Sequence, residues 1–153
     1  MAVFLEVELV PKNLWGKNLR SELPKKEWDF LRKRSYARAN YLCEVCGGKG
    51  RKHPVECHEV WSYNDKTKVQ KLEGLVALCP PCHRVKHLGR TMGTPYKYST
   101  LNHMKKVNDL DDYYLEMYLN IVFGTWSERS KYDWSQDLSE LPAIKKELEA
   151  IEL

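Results

Sequence analysis

The segment LVALCPPCHRVKH, residues 75–87, places a Cys-x-x-Cys pair, Cys79 and Cys82, between an apolar run and two histidines. A second pair, Cys43 and Cys46, occurs upstream in the sequence CEVC. Each pair holds two thiolates about one turn apart, and two such pairs commonly build a tetrahedral four-sulfur zinc site. Because the 32 residues between Cys46 and Cys79 exceed the spacing of a simple zinc ribbon, we predict a structural zinc site that closes around an inserted segment.

The inserted segment and its continuation predict a strand pair followed by a helix. VECHEVW (residues 55–61) and LVALC (75–79) are rich in apolar and β-branched residues, which favours two strands joined by a polar, lysine-rich connection. Pro80 and Pro81 suit the first turn of a helix, where a missing N–H costs little. We expect this helix to end at Gly89.

Three histidines acquire a common geometry in this arrangement. His83 and His87 are four residues apart and share one helical face. His58 lies on the preceding strand, so packing of strand and helix would place its imidazole opposite the other two. His53 and His103 are interpreted as ordinary surface or core residues.

The segments on either side predict additional structure. VFLEVELV (residues 3–10) alternates like an amphipathic strand, and KKEWDFLRKRSYARANYL (25–42) contains no glycine or proline and suits a helix. Residues 89–99 are predicted to be a loop, and residues 109–123 a helix. The stripe expected to face the core in that last helix comprises Leu110, Tyr114, Met117 or Tyr118, and Ile121.

Length and composition indicate one soluble domain. The chain has 153 residues, of which 42% are hydrophobic and 30% charged. No window approaches the roughly 18 consecutive apolar residues of a membrane helix, and the first residues lack the pattern of a secretion signal. We therefore expect a cytoplasmic protein without membrane association, in which clustered cysteines hold metal rather than form disulfides.

The distribution of charge favours a polyanionic partner for the first two thirds of the chain. The formal net charge is +4. Residues 1–100 contain 19 basic and 10 acidic residues, whereas residues 101–153 contain 6 and 11. A basic body of this kind is typical of proteins that bind nucleic acid, although a solvated charged face gives the same pattern.

The ordered combination of these motifs resembles the HNH endonucleases of the ββα-metal fold, in their zinc-stapled form. The matching segments are residues 32–41 leading into Cys43–Cys46, then residues 56–61, and finally residues 75–87. The flanking segments LNHMKKVN and TWSERSKYDWSQDLS also resemble those of compact bacterial and phage members. The resemblance implies a single α+β domain with a zinc-stapled ββα core at about residues 25–90, an N-terminal strand and helix lead-in (1–24) and a helical C-terminal extension (100–153).

The resemblance also implies metal-dependent hydrolysis of phosphodiester bonds. His58 matches the general base of the family, which takes a proton from the attacking water. His83 and His87 match positions that hold the catalytic divalent cation, for which Mg²⁺, Mn²⁺, Ni²⁺ and Zn²⁺ are candidates. A neutral imidazole with a pKa near 6.5 suits a base at physiological pH.

One position departs from the family pattern. The residue before the general base is normally Asp or His, whereas here it is Cys57, whose soft thiolate prefers zinc to magnesium. Three explanations remain open at this stage. Cys57 faces away and Glu56 or Glu59 helps hold the ion, or the site takes a transition metal through Cys57, or the site is degenerate and inactive.

The substrate implied by the resemblance is double-stranded DNA, held mainly through its phosphates. A homodimer is compatible with cutting both strands at one such site per chain. The alternatives are a catalytically inactive zinc module that binds nucleic acid or a protein, and a redox protein that uses its cysteine pairs. The basic residues predicted to contact phosphates are Arg32, Lys33, Arg34, Arg38, Arg84 and Lys86.

Overall fold

A long β-hairpin and the helix that follows it occupy the centre of the fold. The computed structural model describes residues 3–153, which form a mixed α+β structure with one three-stranded sheet and seven α-helices in this range. None of the helices in the described part of the chain has the length and apolar character needed to cross a membrane. In chain order the elements are α1 (Leu19–Glu22), α2 (Lys25–Arg38), β1 (Glu56–Asn64), β2 (Val69–Leu78), α3 (Pro80–Lys86), α4 (Leu88–Thr91), α5 (Lys97–Asn108), α6 (Asp112–Arg129), β3 (Ser135–Asp137) and α7 (Leu141–Glu149).

The hairpin is longer than the two predicted strands. β1 and β2 pair antiparallel from Glu56 opposite Leu78 to Asn64 opposite Val69, so much of the predicted polar connection belongs to the strands. The turn between them is tight because the Asn64 side chain accepts hydrogen bonds from two backbone N–H groups of the turn. Lys68 leaves the turn in the left-handed region, with φ of 57°. β3 adds to the free edge of β2 as a short parallel strand.

Helix α3 begins at the predicted prolines but ends earlier than predicted. Its last residue is Lys86, and His87 departs from helical geometry with φ −101° and ψ 38°. The expected end at Gly89 is wrong, because the chain restarts at once as α4 and Gly89 lies inside that helix. The Thr91 hydroxyl donates to the carbonyl oxygens of Arg84 and His87 at 3.0 Å, which fastens α4 across the break.

The N-terminal strand predicted at residues 3–10 is not a strand. Leu5 and Val7 are buried, as the alternation predicted, but their backbone groups bond to side chains instead of to a sheet. The Leu5 N–H donates to Asn108 Oδ1 at 2.7 Å, and the Val7 N–H donates to the Tyr118 hydroxyl at 3.0 Å. Alternation therefore identified the buried side of the segment, while the C-terminal helices satisfy its backbone.

Helix α2 is shorter than the predicted span of residues 25–42. Asn40 and Tyr41 adopt left-handed φ angles of 55° and 58°, which no helix can continue. The chain then turns directly into the segment of Cys43 and Cys46. Because α2 ends early, the first cysteine pair lies beside the end of β2.

The apolar stripe predicted to face the core on α6 is largely exposed. Tyr114, Met117 and Ile121 are 45%, 41% and 63% exposed, whereas Tyr118, the alternative to Met117, is half-buried and packs against the core. The buried residues of this helix are Leu115 and Val122. Apolar residues occur on several faces of α6, so helical spacing alone did not identify the face that packs against the rest of the protein.

Two hydrophobic clusters lie on opposite sides of the hairpin. One contains Leu5, Leu78 and Met104 together with three of the paired cysteines. The other contains Leu31 of α2 and Leu148 of α7, which cover the second face of the hairpin. The first cluster therefore packs around the cysteines and α3, and the second covers the opposite face of the hairpin.

Candidate functional site

Cys43, Cys46, Cys79 and Cys82 meet in one cluster. Their four Sγ atoms all lie within 4.8 Å of one another, and the Sγ atoms of Cys46 and Cys79 are 3.6 Å apart. A tetrahedron with Zn–S bonds of about 2.3 Å has edges of about 3.8 Å, so these sulfurs match a zinc site in spacing and chemistry. Three of the cysteines are buried, and Cys46 is exposed. The cluster could therefore hold a structural metal such as zinc.

Backbone amides and a glycine shape the first cysteine pair. Gly47 has φ of 74°, a conformation that side chains disfavour, and it turns the chain back toward the sulfurs. The N–H of Gly48 points at Cys46 Sγ at 3.4 Å, and the N–H of Cys46 points at Cys43 Sγ at 3.5 Å. Donors in these positions stabilise thiolates.

Glu44 fixes this turn to the sheet. Its Oε2 accepts a hydrogen bond from the Ala77 N–H at 2.7 Å, and its own N–H donates to the Ala77 carbonyl at 2.9 Å. Ala77 lies two residues before Cys79, so this contact brings the two cysteine pairs together.

The thiols compete for protons within the cluster. A hydrogen bond from Cys82 lowers the pKa of Cys43 to about 4, and the same bond raises the pKa of Cys82. Burial raises the pKa of Cys79 to about 12. The protein alone therefore ionises one thiol readily, and a divalent cation would provide the positive charge that the remaining thiolates require.

His103 contacts the cysteine cluster from α5. Its Nε2 lies 3.1 Å from Cys82 Sγ. Sequence reasoning interpreted this histidine as an ordinary residue, because a single histidine 21 positions after Cys82 forms no recognisable motif. Only the packing of α5 against α3 reveals the contact.

His58, His83 and His87, the histidine trio, form a second cluster. Their ligand nitrogens lie within 4.8 Å of one another, and the Nε2 atoms of His83 and His87 are 3.1 Å apart. The His58 ring centroid is 5.2 Å from each of the other two. His58 is 3% exposed, and neither of its ring nitrogens has a hydrogen-bond partner within residues 3–153. A buried imidazole without partners facing two others is a donor set suited to a divalent cation.

The electrostatics favour neutral rings at His58 and His87. Burial lowers the pKa of His58 well below its usual value, and the neighbouring imidazoles lower it further. Burial and the charge of His83 lower the pKa of His87 to about 3. Neutral imidazoles retain the lone pairs that bind a metal or accept a proton.

Glu56 connects the trio to His53. Its Oε1 lies 3.3 Å from His83 Nδ1, and its Oε2 lies 3.4 Å from His53 Nε2. These contacts lower the pKa of Glu56, with the hydrogen bond to His83 as the largest cause. A carboxylate on Nδ1 leaves the Nε2 of His83 directed toward His87, an arrangement that commonly orients metal-binding histidines.

Cys57 is not part of the trio. It is adjacent to His58 on β1, so it points to the opposite face of the hairpin and packs in the cluster that contains Leu31. Burial raises the pKa of its thiol to about 12. Glu59 faces the same side and accepts the N–H of Leu19 at 2.8 Å. Of the three explanations that the sequence leaves open, this geometry favours the first, in which Cys57 faces away from the histidines, and Glu56 is the acidic residue that adjoins them.

Two of the predicted phosphate contacts are engaged inside the protein. Arg32 donates to Asp29 at 2.8 Å on its own helix. Arg38 donates to the Leu75 carbonyl oxygen at 2.6 Å, which binds α2 to β2. Arg38 therefore stabilises the position of α2, whereas the Arg32 bond lies within that helix.

The other four basic residues form no ion pair within residues 3–153. Lys33 is exposed, and Arg34 and Lys86 are half-buried. Arg84 directly follows His83 in α3, and its guanidinium carbon lies 4.3 Å from the centre of the Tyr96 ring. Arg84 and Lys86, which directly precedes His87, are thus the predicted phosphate contacts closest to the histidine trio along the chain.

Comparison with known proteins does not assign the chain to a family. No family model, no curated protein and no solved structure matches the chain. The resemblance to HNH endonucleases therefore stays a prediction.

Proposed function

We propose that this protein is a metal-dependent endonuclease of the HNH type that hydrolyses phosphodiester bonds of DNA. The observation that carries the proposal is the buried, unpartnered imidazole of His58 facing His83 and His87. The order of a β-hairpin followed directly by a helix, with four cysteines gathered beside it, supports a zinc-stapled ββα-metal core.

The residues of the trio have distinct roles in this proposal. His83 and His87 would hold the divalent cation, which when bound stabilises negative charge that develops on the phosphate oxygens. His58 acts as the general base and takes a proton from the water that attacks phosphorus. Its ring is neutral and its nitrogens have no competing partner among the described residues, so a lone pair is free for that proton.

The cysteine cluster has a structural role. It joins the segment after α2 to the start of α3, which contains His83 and ends directly before His87. A bound zinc would therefore hold α3 in position and contribute to the folding free energy.

Conversion of supercoiled plasmid tests the proposal. Zinc-loaded protein is assayed with added Mg²⁺, Mn²⁺, Ni²⁺ or Zn²⁺, beside the variants His58→Ala and Cys57→Ala. Cys57→Ala is the matched control. It also truncates a buried side chain of β1, at the position directly before His58, but on the face away from the trio. Nicked or linear product that is lost in His58→Ala and kept in Cys57→Ala is the expected result.

The alternative is a zinc module that binds nucleic acid or a protein without catalysis. It predicts no conversion with any metal in folded, zinc-containing protein, together with unchanged DNA affinity in His58→Ala. Cys57 was the main sequence argument for a degenerate site. Because Cys57 points away from the trio, its identity does not argue against a metal held by the histidines.

A further inference from the structure

Two tyrosines at the beginning of α5 are exposed beside positive charges. Tyr96 and Tyr98 are 54% and 71% exposed. The Arg84 guanidinium carbon lies 4.3 Å from the centre of the Tyr96 ring, and Lys97 Nζ lies 5.3 Å from that of Tyr98. We call Arg84, Tyr96, Lys97 and Tyr98 the tyrosine patch.

The charges of the tyrosine patch are not neutralised by the protein. Within residues 3–153, neither Arg84 nor Lys97 forms an ion pair, and the Nε of Arg84 is buried without a hydrogen-bond partner. An accessible aromatic ring beside an uncompensated cation matches a ligand that has both a flat π face and negative charge. A nucleotide has both, in its base and its phosphate.

A second exposed aromatic group has different surroundings. Tyr113 on α6 is 66% exposed, and its neighbours in sequence include Asp111 and Asp112. No lysine or arginine lies over the Tyr113 ring in the described part of the chain. The combination of aromatic ring and cation is therefore absent at Tyr113, which suits it as a control; it recurs at Tyr132, which is 47% exposed and has Lys68 Nζ 4.2 Å from its ring centre.

The tyrosine patch adjoins the histidine trio. Arg84 directly follows His83 in α3, and α4 leads from His87 toward Tyr96. The hydrogen bonds of Thr91 to the Arg84 and His87 carbonyls hold this connection in place. A nucleic-acid strand whose phosphate lies at the trio would have neighbouring nucleotides near the patch.

We propose that the tyrosine patch stacks on unpaired bases next to the bond that is cut, so that the preferred substrate is DNA with a single-stranded segment. In a duplex the faces of each base are covered by its neighbours, so the tyrosines could not stack and only the cations would contribute. In an unpaired segment each base offers a free face. This inference rests on the proposed nuclease function and deepens it by naming the substrate class.

Fluorescence anisotropy tests the proposal, without added divalent cation so that the DNA stays intact. The probes are a labelled single strand of about 12 nucleotides and the duplex of the same sequence, a length within the footprint of single-strand-binding domains. The variants are Tyr96→Ala with Tyr98→Ala, Tyr96→Phe with Tyr98→Phe, and the control Tyr113→Ala. We expect the alanine pair to weaken single-strand binding about tenfold or more, because each alanine removes a ring on which a base stacks. Duplex binding should change little. The phenylalanine pair keeps both rings and should bind normally.

Three outcomes overturn the inference. They are an equal loss in Tyr113→Ala, an unchanged affinity in the alanine pair, and duplex binding that falls as much as single-strand binding. If these occur while plasmid conversion still depends on His58, the substrate inference fails and the nuclease proposal stands. If the folded protein neither binds nor cuts any of these DNAs, both fail.

Discussion

Replacement of Glu8 by glutamine should stabilise the protein, and the gain should increase with pH. Glu8 is half-buried between the N-terminal segment and the hairpin, where its Oε1 accepts the Tyr63 hydroxyl at 3.2 Å. Burial raises its pKa from 4.5 to about 7, an effect that Glu59 reinforces. Attraction to Lys86 and Arg129 and the bond from Tyr63 oppose that shift without cancelling it.

The sign of the effect follows from the raised pKa. Between pH 4.5 and about 7 the folded protein binds a proton at Glu8 that the unfolded chain has released, so the free energy of unfolding falls as the pH rises through this window. A shift from 4.5 to about 7 corresponds at most to roughly 3 kcal/mol, at about 1.4 kcal/mol per pKa unit. Water reaches the half-buried carboxylate, so we expect an effect of about 1–2 kcal/mol.

Urea unfolding of wild type and Glu8→Gln at about pH 5 and about pH 8 measures this difference. Zinc release and the other titrating groups affect both proteins alike, so the difference between them isolates Glu8. The neighbouring Glu6→Gln is the matched control, because Glu6 is exposed. A Glu8→Gln variant that is no more stable than wild type at about pH 8, or whose advantage shrinks as the pH rises, would refute the reasoning.

Three further variants test the two clusters. Glu56→Ala should weaken Co²⁺ binding at the trio by about 10–100-fold, because His83 loses the carboxylate that orients it, and titration of the Co²⁺ absorption spectrum measures this. Cys57→Val should leave that affinity within about twofold, since the thiol lies on the other face of β1, and a large loss would return Cys57 to the site. His103→Phe should speed zinc transfer to a colorimetric chelator several-fold, because Cys82 loses its neighbour at 3.1 Å, whereas an unchanged rate would make the contact incidental.

Local spacing predicted the elements on which the candidate site is built. The prolines before Cys82 predicted where α3 begins, and the four-residue separation of His83 and His87 predicted that their rings lie together, although His87 follows the last residue of the helix. These predictions concern residues close in sequence, whose relative positions depend mainly on helix geometry. The same spacing did not predict the break after Lys86, which depends on hydrogen bonds from Thr91.

The alternation of apolar residues predicted which side of a segment is buried, but not what its backbone bonds to. It predicted that Leu5 and Val7 are buried, but it could not show that their backbone groups bond to Asn108 and Tyr118, more than 100 residues away. Alternation also places Cys57 and His58 on opposite faces of β1, which agrees with the first of the three explanations for Cys57. Which face lies against His83 and His87, however, depends on the helices that pack on either side of the hairpin.

By itself, the sequence determined the two cysteine pairs, the hairpin followed by a helix, and the presence of histidines on both, because these follow from residue type and short-range spacing. Only the tertiary structure decided that Glu56 supports His83, that His103 reaches Cys82, and that α6 exposes the stripe predicted to be core. Each of those features depends on how separate elements pack. Packing is determined by the combined burial of all apolar faces, which no single segment of sequence specifies.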